Sequence, residues 1–300
     1  PDVRLATDVA VCTVSPARGG SIVEWHDRPA RRHLGNVLTR RPEAYHAALR
    51  DARTEYGAAH DRAEGGAPEP GDTVVPPLAQ ADLMRWFAYD RVRRPTLRVH
   101  LLHPGVTPEQ LARDEQDERG EFGWGDYAAR VERTPTAIRA LLTRRALLAD
   151  GECVIERTIE AAAGHRGLMH TTRVRWTGKT PLNAVLDEEW NLGVFGVPED
   201  VTLNAGEGPQ SLHEVTAYER CERVEVAEHH SGLTIAFVPS APAAVWALPL
   251  FTISNSESGI EKNFQGTMLH LRWPLAIRPG EEWEQTTVAE VTGAESPSPS

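Results

Sequence analysis

The sequence predicts an all-β fold, a large antiparallel sandwich. Apolar and polar residues alternate in many short runs, which is the period-2 pattern of strands with one buried face. Turn-forming residues separate these runs at the intervals expected for a large sandwich. The runs with this pattern are residues 9–14, 97–102, 154–159, 169–176, 182–194, 215–226, 233–238, 245–253, 267–273 and 284–291.

One segment can be interpreted in two ways. Asp150-Gly151 predicts a two-residue hairpin turn, because both central residues of a type I′ turn have positive φ. Residues 134–148 before it would then form a strand that pairs across the turn. The same residues could also form a helix. Thr134-Pro135 is a typical helix start, and the apolar residues that follow have a spacing compatible with a helix. We favour the strand, with the helix as the alternative.

One helix and three irregular stretches complete the expected organisation. The helix is predicted near residues 42–56, which are rich in Ala, Arg, Glu and Leu. Loop or disordered insertions are expected near residues 57–80 and 104–135, because the first is rich in Gly and Pro and the second is charged. Residues 293–300 form a Ser/Pro tail that is too polar to fold. We therefore predict a single domain over residues 1–292.

Composition and motifs exclude several classes of function. The chain has 300 residues, of which 40% are hydrophobic, and a net charge of −11. An acidic surface repels phosphate backbones and anionic lipids, so neither nucleic acid nor a membrane is expected as a partner. No apolar run approaches the length of a transmembrane helix. The motifs of serine hydrolases, nucleotide-binding proteins and zinc proteases are also absent from the sequence.

The cysteines indicate a reducing compartment. Cys12, Cys153 and Cys221 lie far apart in the chain and are odd in number, which argues against a disulfide framework. They also lack the spacing of a zinc site. We therefore expect a cytoplasmic protein without a disulfide or a zinc ion.

Three blocks of sequence, in a fixed order along the chain, carry a family resemblance. Residues 19–29 and 38–46 read as a glycine-started strand followed by a polar connection and a helix. Residues 187–192 have the order Glu, aromatic, Asn along a strand. Residues 246–283 contain the steps Gln-Gly, Trp-Pro and Pro-Gly-Glu. Together these blocks resemble the C-terminal β-sandwich domain of family 57 glycoside hydrolases, the group of α-amylases and 4-α-glucanotransferases.

The resemblance implies a fold and a role. The fold would be a β-supersandwich of the galactose-mutarotase type. In that family the catalytic carboxylates lie in a separate barrel domain, so the resemblance carries over no catalytic residue and the chain alone is not expected to be catalytic. It would support α-glucan or oligosaccharide binding beside a catalytic barrel domain, in cis or in trans. A first residue Pro1, in place of Met, would fit a piece of a longer protein.

The first candidate sugar contacts lie on one strand. Asp187, Glu189 and Asn191 alternate onto one side of the predicted strand 182–194, while Trp190 and Leu192 take the other. Carboxylate and amide groups beside aromatic rings suit a sugar, which offers hydroxyls and a flat apolar face. We predict Glu189 and Asn191 as ligand contacts. The alternative is that Trp190 and Leu192 are core and the polar side faces solvent or a groove.

A second candidate set surrounds two glycines. Glu257, Glu261 and Gln265 lie near Gly259 and Gly266, and glycine allows the backbone to approach a ligand closely. We predict Glu257 and Gln265 as sugar contacts, with a solvated loop as the alternative. The same oxygens are the kind of ligands that Ca²⁺ takes, so a structural calcium ion is a further possibility, with no other cofactor expected.

Tryptophan and histidine residues complete the candidates. Trp273 is predicted as a stacking surface for sugar, with packing in the core or at a sheet edge as the alternative. His100 is predicted as a ligand contact. His100 and His213 with Glu189 would also be the nearest analogue of the His and carboxylate pair of a sugar mutarotase. A stand-alone mutarotase or epimerase is therefore one alternative function, and a protein-interaction scaffold is the other.

Overall fold

Strands dominate the structure, which confirms the all-β prediction. This computed structural model describes residues 1–35, 39–46, 87–193, 198–212, 214–256 and 259–293. The strands are β1 Val3–Ala6, β2 Ala10–Ser15, β3 Ser21–Asp27, β4 Arg32–His33, β5 Arg98–Leu102, β6 Ala128–Arg133, β7 Ala137–Leu148, β8 Gly151–Ala162, β9 Leu168–Trp176, β10 Leu182–Leu192, β11 Val201–Asn204, β12 Pro209–Ser211, β13 Thr216–Cys221, β14 Val224–Glu228, β15 Leu233–Pro239, β16 Ala243–Ser256, β17 Gly259–Ile277 and β18 Glu282–Thr292. Helix α1 spans Pro108–Ala112, and a 3₁₀ turn spans Pro198–Asp200.

The strands form three antiparallel sheets around a shared core. A four-stranded sheet has the order β1-β2-β3-β4, a five-stranded sheet β13-β16-β17-β10-β5, and a nine-stranded sheet β12-β11-β14-β15-β18-β9-β8-β7-β6. Trp190 on β10 lies between Trp25 on β3 and Phe237 on β15, with ring centroids 5.9 and 4.9 Å away. These three buried rings come from the three different sheets. The main hydrophobic cluster is therefore enclosed by all of them.

The five-stranded sheet is buried on its outer face too. Leu111 of α1 packs there with Leu248, Leu250 and Met268 in a second, smaller hydrophobic cluster. Burial of both faces explains the run of seven buried residues from Leu186 to Leu192, which a strand with one wet face would not have. The outer face of this sheet carries the polar residues described below.

The hairpin prediction is correct in its pairing but wrong in its turn. Strand β7 pairs with β8 from Ala137 and Ala162 to Leu148 and Gly151, so the strand interpretation of residues 137–148 is confirmed. The turn residues are 149 and 150, one position earlier than predicted. Gly151 lies in β8 without positive φ, and a Cβ there would lie 2.3 Å from the Cα of Gly178. The glycine permits close approach of two backbones instead of a special turn.

Other boundaries also differ from the expectations. The predicted strand 215–226 is two strands, because the chain crosses from β13 in one sheet to β14 in another. The predicted insertion 104–135 contains α1 and β6. Helix α1 begins with a capping box, in which Thr107 and Gln110 exchange side-chain and backbone hydrogen bonds. Of the predicted helix 42–56, residues 44–46 are helical, and residues 47–56 lie outside the described part, as do 57–80 and 294–300.

A search of the described residues for membrane spans found no helix that is both long and apolar enough to cross a bilayer.

Candidate functional site

Glu189 lies at the centre of a buried ionic cluster on the outer face of the five-stranded sheet. Its Oε1 accepts hydrogen bonds from Arg94 Nη1 at 2.9 Å and from Asn191 Nδ2 at 2.8 Å. Its Oε2 lies 3.0 Å from Arg98 Nη1 and 2.8 Å from His100 Nε2. All five side chains are buried. We call these five residues the Glu189 cluster.

The cluster holds Glu189 as a carboxylate. Burial alone would raise the pKa of Glu189, but the charges of Arg98 and Arg94 and the hydrogen bond from His100 hold it well below its usual range. A general acid needs a proton near neutral pH, which this group does not carry. Both oxygens are also engaged by protein donors. The arrangement is suited to fixing backbone segments together.

His100 connects two carboxylates. Its Nδ1 lies 3.2 Å from Glu118 Oε2, and its Nε2 faces Glu189 on the other side. Burial alone would lower the pKa of His100, but the charge of Glu118 and the hydrogen bonds to Glu118 and Glu189 raise it to about 9. The imidazole is therefore protonated near neutral pH, and both ring nitrogens donate hydrogen bonds.

Asp187 forms a second buried group on the same face. Its Oδ1 lies 2.8 Å from His270 Nδ1, and its Oδ2 lies 3.1 Å from Arg272 Nε. The Arg272 guanidinium also covers the ring of Trp246, with 3.4 Å between its central carbon and the ring centroid. The aspartate thus faces the Arg272 cation and the His270 ring of the protein, so both its oxygens lie close to protein groups, like those of Glu189.

Glu188 points to the opposite side of β10, toward the nine-stranded sheet. It accepts hydrogen bonds from His170 Nδ1 at 3.0 Å and from Thr287 Oγ1 at 2.9 Å. Arg157 Nε donates to His170 Nε2 at 3.1 Å, which requires that this nitrogen carry no proton. Burial lowers the pKa of His170, in agreement with a neutral ring that donates from Nδ1.

The Glu189 cluster extends through Arg94 to Asp90 and Arg40. Arg94 Nε donates to Asp90 Oδ1 at 2.7 Å, and the same oxygen accepts from Arg40 Nη2 at 2.6 Å. The backbone N–H of Arg40 donates to Asp90 Oδ2 at 2.7 Å, and the N–H of Asp90 donates to the carbonyl of Arg40 at 3.0 Å. These bonds tie residues 39–46 to residues 87–90.

A cleft of about 350 Å³ lies where these two segments meet the β16–β17 hairpin. The imidazole of His46 is surrounded by the rings of Tyr45, Phe87 and Tyr89, at centroid distances of 4.4, 5.0 and 5.7 Å. In the β16–β17 hairpin, Gln265 donates a hydrogen bond from Nε2 to Thr252 Oγ1 at 3.0 Å. We call this the aromatic cleft. Its full lining is Thr39, Arg40, Arg41, Glu43, Tyr45, His46, Phe87, Ala88, Tyr89, Phe251, Thr252, Ile253, Ser254 and Gln265.

The predicted contacts are not brought together at one surface. Glu189, Asn191 and His100 meet, but in the buried cluster, so the expectation of a groove or solvent on that side of β10 is wrong. Trp273 is also buried, and its ring lies 6.0 Å from that of Trp283, as in the packing alternative. Gln265 is exposed at the aromatic cleft. Sugar contact by any of them stays a prediction.

Two predicted residues lie outside the described part of the chain, and calcium binding remains untested. Glu257 and His213 lie outside the described residues. Among the residues that the structure describes, no group of three or more His, Cys, Asp or Glu side chains is arranged to hold a metal ion. Calcium near Glu261 stays an untested expectation.

Sequence reasoning missed the cations of the cluster and the rings of the cleft. Arg98 precedes His100 by two residues on β5, and this alternation is a signal that a second strand has a polar side, which lies beside the polar side of β10 in the same sheet. Phe87 and Tyr89 alternate in the same way across Ala88. Neither signal specifies the distant partner, because Arg94 and Glu189 are 95 residues apart.

Comparison with known proteins identifies the family. A family profile described as "Alpha-amylase/4-alpha-glucanotransferase, C-terminal" matches residues 1–287. The chain belongs to this family. The match covers the three sheets almost completely, and it confirms the resemblance found in residues 19–46, 187–192 and 246–283.

Similar curated proteins are enzymes that are much longer than this chain. An α-amylase from Pyrococcus abyssi is 23% identical over 278 residues, which cover 91% of this chain and 37% of the amylase. A 4-α-glucanotransferase from Thermococcus kodakarensis is 26% identical over 263 residues, covering 87% and 35%. The chain spans about a third of the length of the curated relatives it matches.

Solved structures support the same fold. The crystal structure of 4-α-glucanotransferase from Thermococcus litoralis has a TM-score of 0.70 and 22% identity, over 96% of this chain and 37% of that one. A putative aldose 1-epimerase from Escherichia coli K12 has a TM-score of 0.57 and 13% identity, over 98% and 99%. At these identities the likeness establishes the fold, and the second structure confirms the mutarotase-like type.

Proposed function

We propose that this chain is a non-catalytic β-sandwich domain that binds α-glucan beside the catalytic domain of an amylase or glucanotransferase. The observation that carries the proposal is the match over residues 1–287, which leaves about two thirds of each relative unmatched. The relatives are named for action on α-glucans. In each relative, the unmatched portion leaves room for a catalytic barrel domain, and we propose that such a domain acts beside this chain in cis or in trans.

The environment of the three carboxylates on β10 supports a non-catalytic role. Glycoside hydrolysis requires two carboxyl groups that reach the sugar from opposite sides of the scissile bond. Glu189, Asp187 and Glu188 are all buried and paired with cations or hydrogen-bond donors of the protein. The buried, free thiols of Cys12, Cys153 and Cys221 agree with the proposed cytoplasmic location.

The proposal is tested by measuring binding and cleavage on the same preparation. We expect isothermal titration of the purified chain with maltoheptaose to give saturable heat, while chromatography detects no shorter or longer glucans after incubation. The 4-α-glucanotransferase of Thermococcus kodakarensis serves as the positive control for turnover. Glucan products formed by the chain alone would contradict the non-catalytic role. No heat up to millimolar sugar would contradict glucan binding.

One observation favours the mutarotase alternative, namely the 2.8 Å contact between His100 and Glu189. Ring opening needs an acid and a base that reach the sugar, and both of these side chains are fully buried. We therefore expect polarimetry to show no change in the rate at which glucose anomers interconvert when the chain is added.

A further inference from the structure

We propose that the aromatic cleft is the surface by which this domain holds α-glucan. The inference rests on the proposed function and assigns it a location. The cleft is built from residues 39–46, residues 87–89 and the β16–β17 hairpin. Its lining combines flat aromatic rings with amide and hydroxyl groups, which is the combination that a pyranose requires.

The rings are arranged to offer apolar faces. Tyr45, Phe87 and Tyr89 are each half-buried, so part of each ring remains open to solvent, while His46 between them is buried. When a sugar packs on these partly exposed rings, its apolar face and the exposed ring atoms are removed from water, which favours binding. Neutral glucan is also compatible with the acidic net charge of the chain.

Hydrogen bonds hold the aromatic rings of the cleft in place in the absence of a ligand. Tyr45 Oη donates to the carbonyl of Ile253 at 2.8 Å, and His46 Nε2 lies 3.3 Å from the same oxygen. Tyr89 Oη lies 3.1 Å from His46 Nδ1. Because the rings are fixed to each other and to β16, little side-chain entropy remains to be lost on binding.

The β16–β17 hairpin supplies polar groups to the cleft. Gln265, Thr252 and Ser254 lie on the paired strands β16 and β17, which are hydrogen bonded through this region. Their amide and hydroxyl groups are donors and acceptors for sugar hydroxyls. A cleft of about 350 Å³ lies in the range of small-ligand sites and suits a short stretch of a glucan chain.

The Glu189 cluster gives the cleft its rigidity. Glu189 holds Arg94, Arg94 holds Asp90, and Asp90 is paired with Arg40, whose segment continues into Tyr45. Asp90 directly follows Tyr89, so the same ion pairs position both aromatic segments. Glu189 is thus a positioning residue for the cleft and does not touch the glucan.

The test is isothermal titration of maltoheptaose into the full chain and its variants. Phe87→Ala removes one ring, and Gln265→Ala removes an exposed amide with little risk to folding. We expect each change to weaken binding about tenfold, equivalent to about 1.4 kcal/mol. Thr158→Ala is the matched control, because Thr158 lines a different surface depression of about 400 Å³ on the nine-stranded sheet. Its affinity should equal that of the unaltered chain.

The outcomes separate this inference from the proposed function. If the unaltered chain binds and both cleft variants bind equally well, the cleft assignment is wrong while glucan binding stands. If Thr158→Ala weakens binding and the cleft variants do not, the glucan lies on the nine-stranded sheet. If the unaltered chain gives no heat, both the assignment of glucan to the cleft and the proposed glucan binding are wrong. Circular dichroism spectra of each variant verify that the fold is retained.

Discussion

Replacing Glu189 with Gln is expected to lower the free energy of unfolding by about 3–5 kcal/mol, the cost typical of breaking a buried ion pair from one side. The substitution nearly keeps the volume of the side chain, but it removes the charge and turns one acceptor oxygen into an NH₂ donor. Arg94 and Arg98 would then remain buried with one fewer anion, and His100 would lose one of its two carboxylate partners. Urea unfolding followed by circular dichroism measures the effect.

A control substitution in an exposed ion pair shows how much of the expected loss of stability comes from burial. Glu284 on β18 is paired with Arg173 at 2.6 Å, but both side chains are about half exposed. Exposed pairs of this kind contribute about 0.2–1 kcal/mol, so Glu284→Gln should have a small effect. Equal losses for the two substitutions would mean that the Glu189 cluster does not fasten the segments of the cleft. The account of Glu189 as a positioning residue would then fail.

Stability should fall as the pH rises from about 6.5 to 9, because His100 is held as a cation in the folded chain. Its pKa is raised from 6.5 to about 9. A group with a raised folded pKa contributes stability that is complete below the unfolded value and is lost as the pH rises through the folded value. The whole contribution amounts to about 3 kcal/mol. Urea midpoints measured at several pH values test this expectation.

The variant His100→Gln removes the titrating group and serves as the reference. The difference in unfolding free energy between the two chains should shrink as the pH rises through this window. Contributions from the buried thiols, whose pKa values are raised by burial, cancel in this difference because both chains contain them. A difference that stays constant from pH 6 to pH 9.5 would mean that folding does not raise the pKa of His100.

The strand pattern could be predicted from sequence because it is local. Period-2 alternation placed Asp187, Glu189 and Asn191 on one side of β10 and Trp190 on the other, as the structure has them. What covers the polar side could not be predicted in this way. The cover comes from residues around Arg94 and α1, far away in the chain, and local alternation cannot indicate whether a polar face is wet or paired.

The candidate site was harder to predict than the fold, for the same reason. Carboxylates and amides suit both a sugar groove and a buried ion network, and only the arrangement of distant cations distinguishes the two. The neighbouring glycines led to the prediction that Gln265 contacts sugar, and Gln265 lies at the aromatic cleft. Phe87 and Tyr89, which line the same cleft, are about 175 residues earlier in the sequence and show only a short alternating pattern.

A crystal structure of the chain with maltoheptaose tests the central claim most directly. The account predicts an intact oligosaccharide in the aromatic cleft, with a pyranose ring against Phe87 or Tyr89 and a hydroxyl within hydrogen-bond distance of Gln265. Crystals grown from the Phe87→Ala variant should lack that sugar. Sugar bound only at another surface, such as the nine-stranded sheet near Thr158, would contradict the assignment, and a shortened glucan would contradict the non-catalytic role.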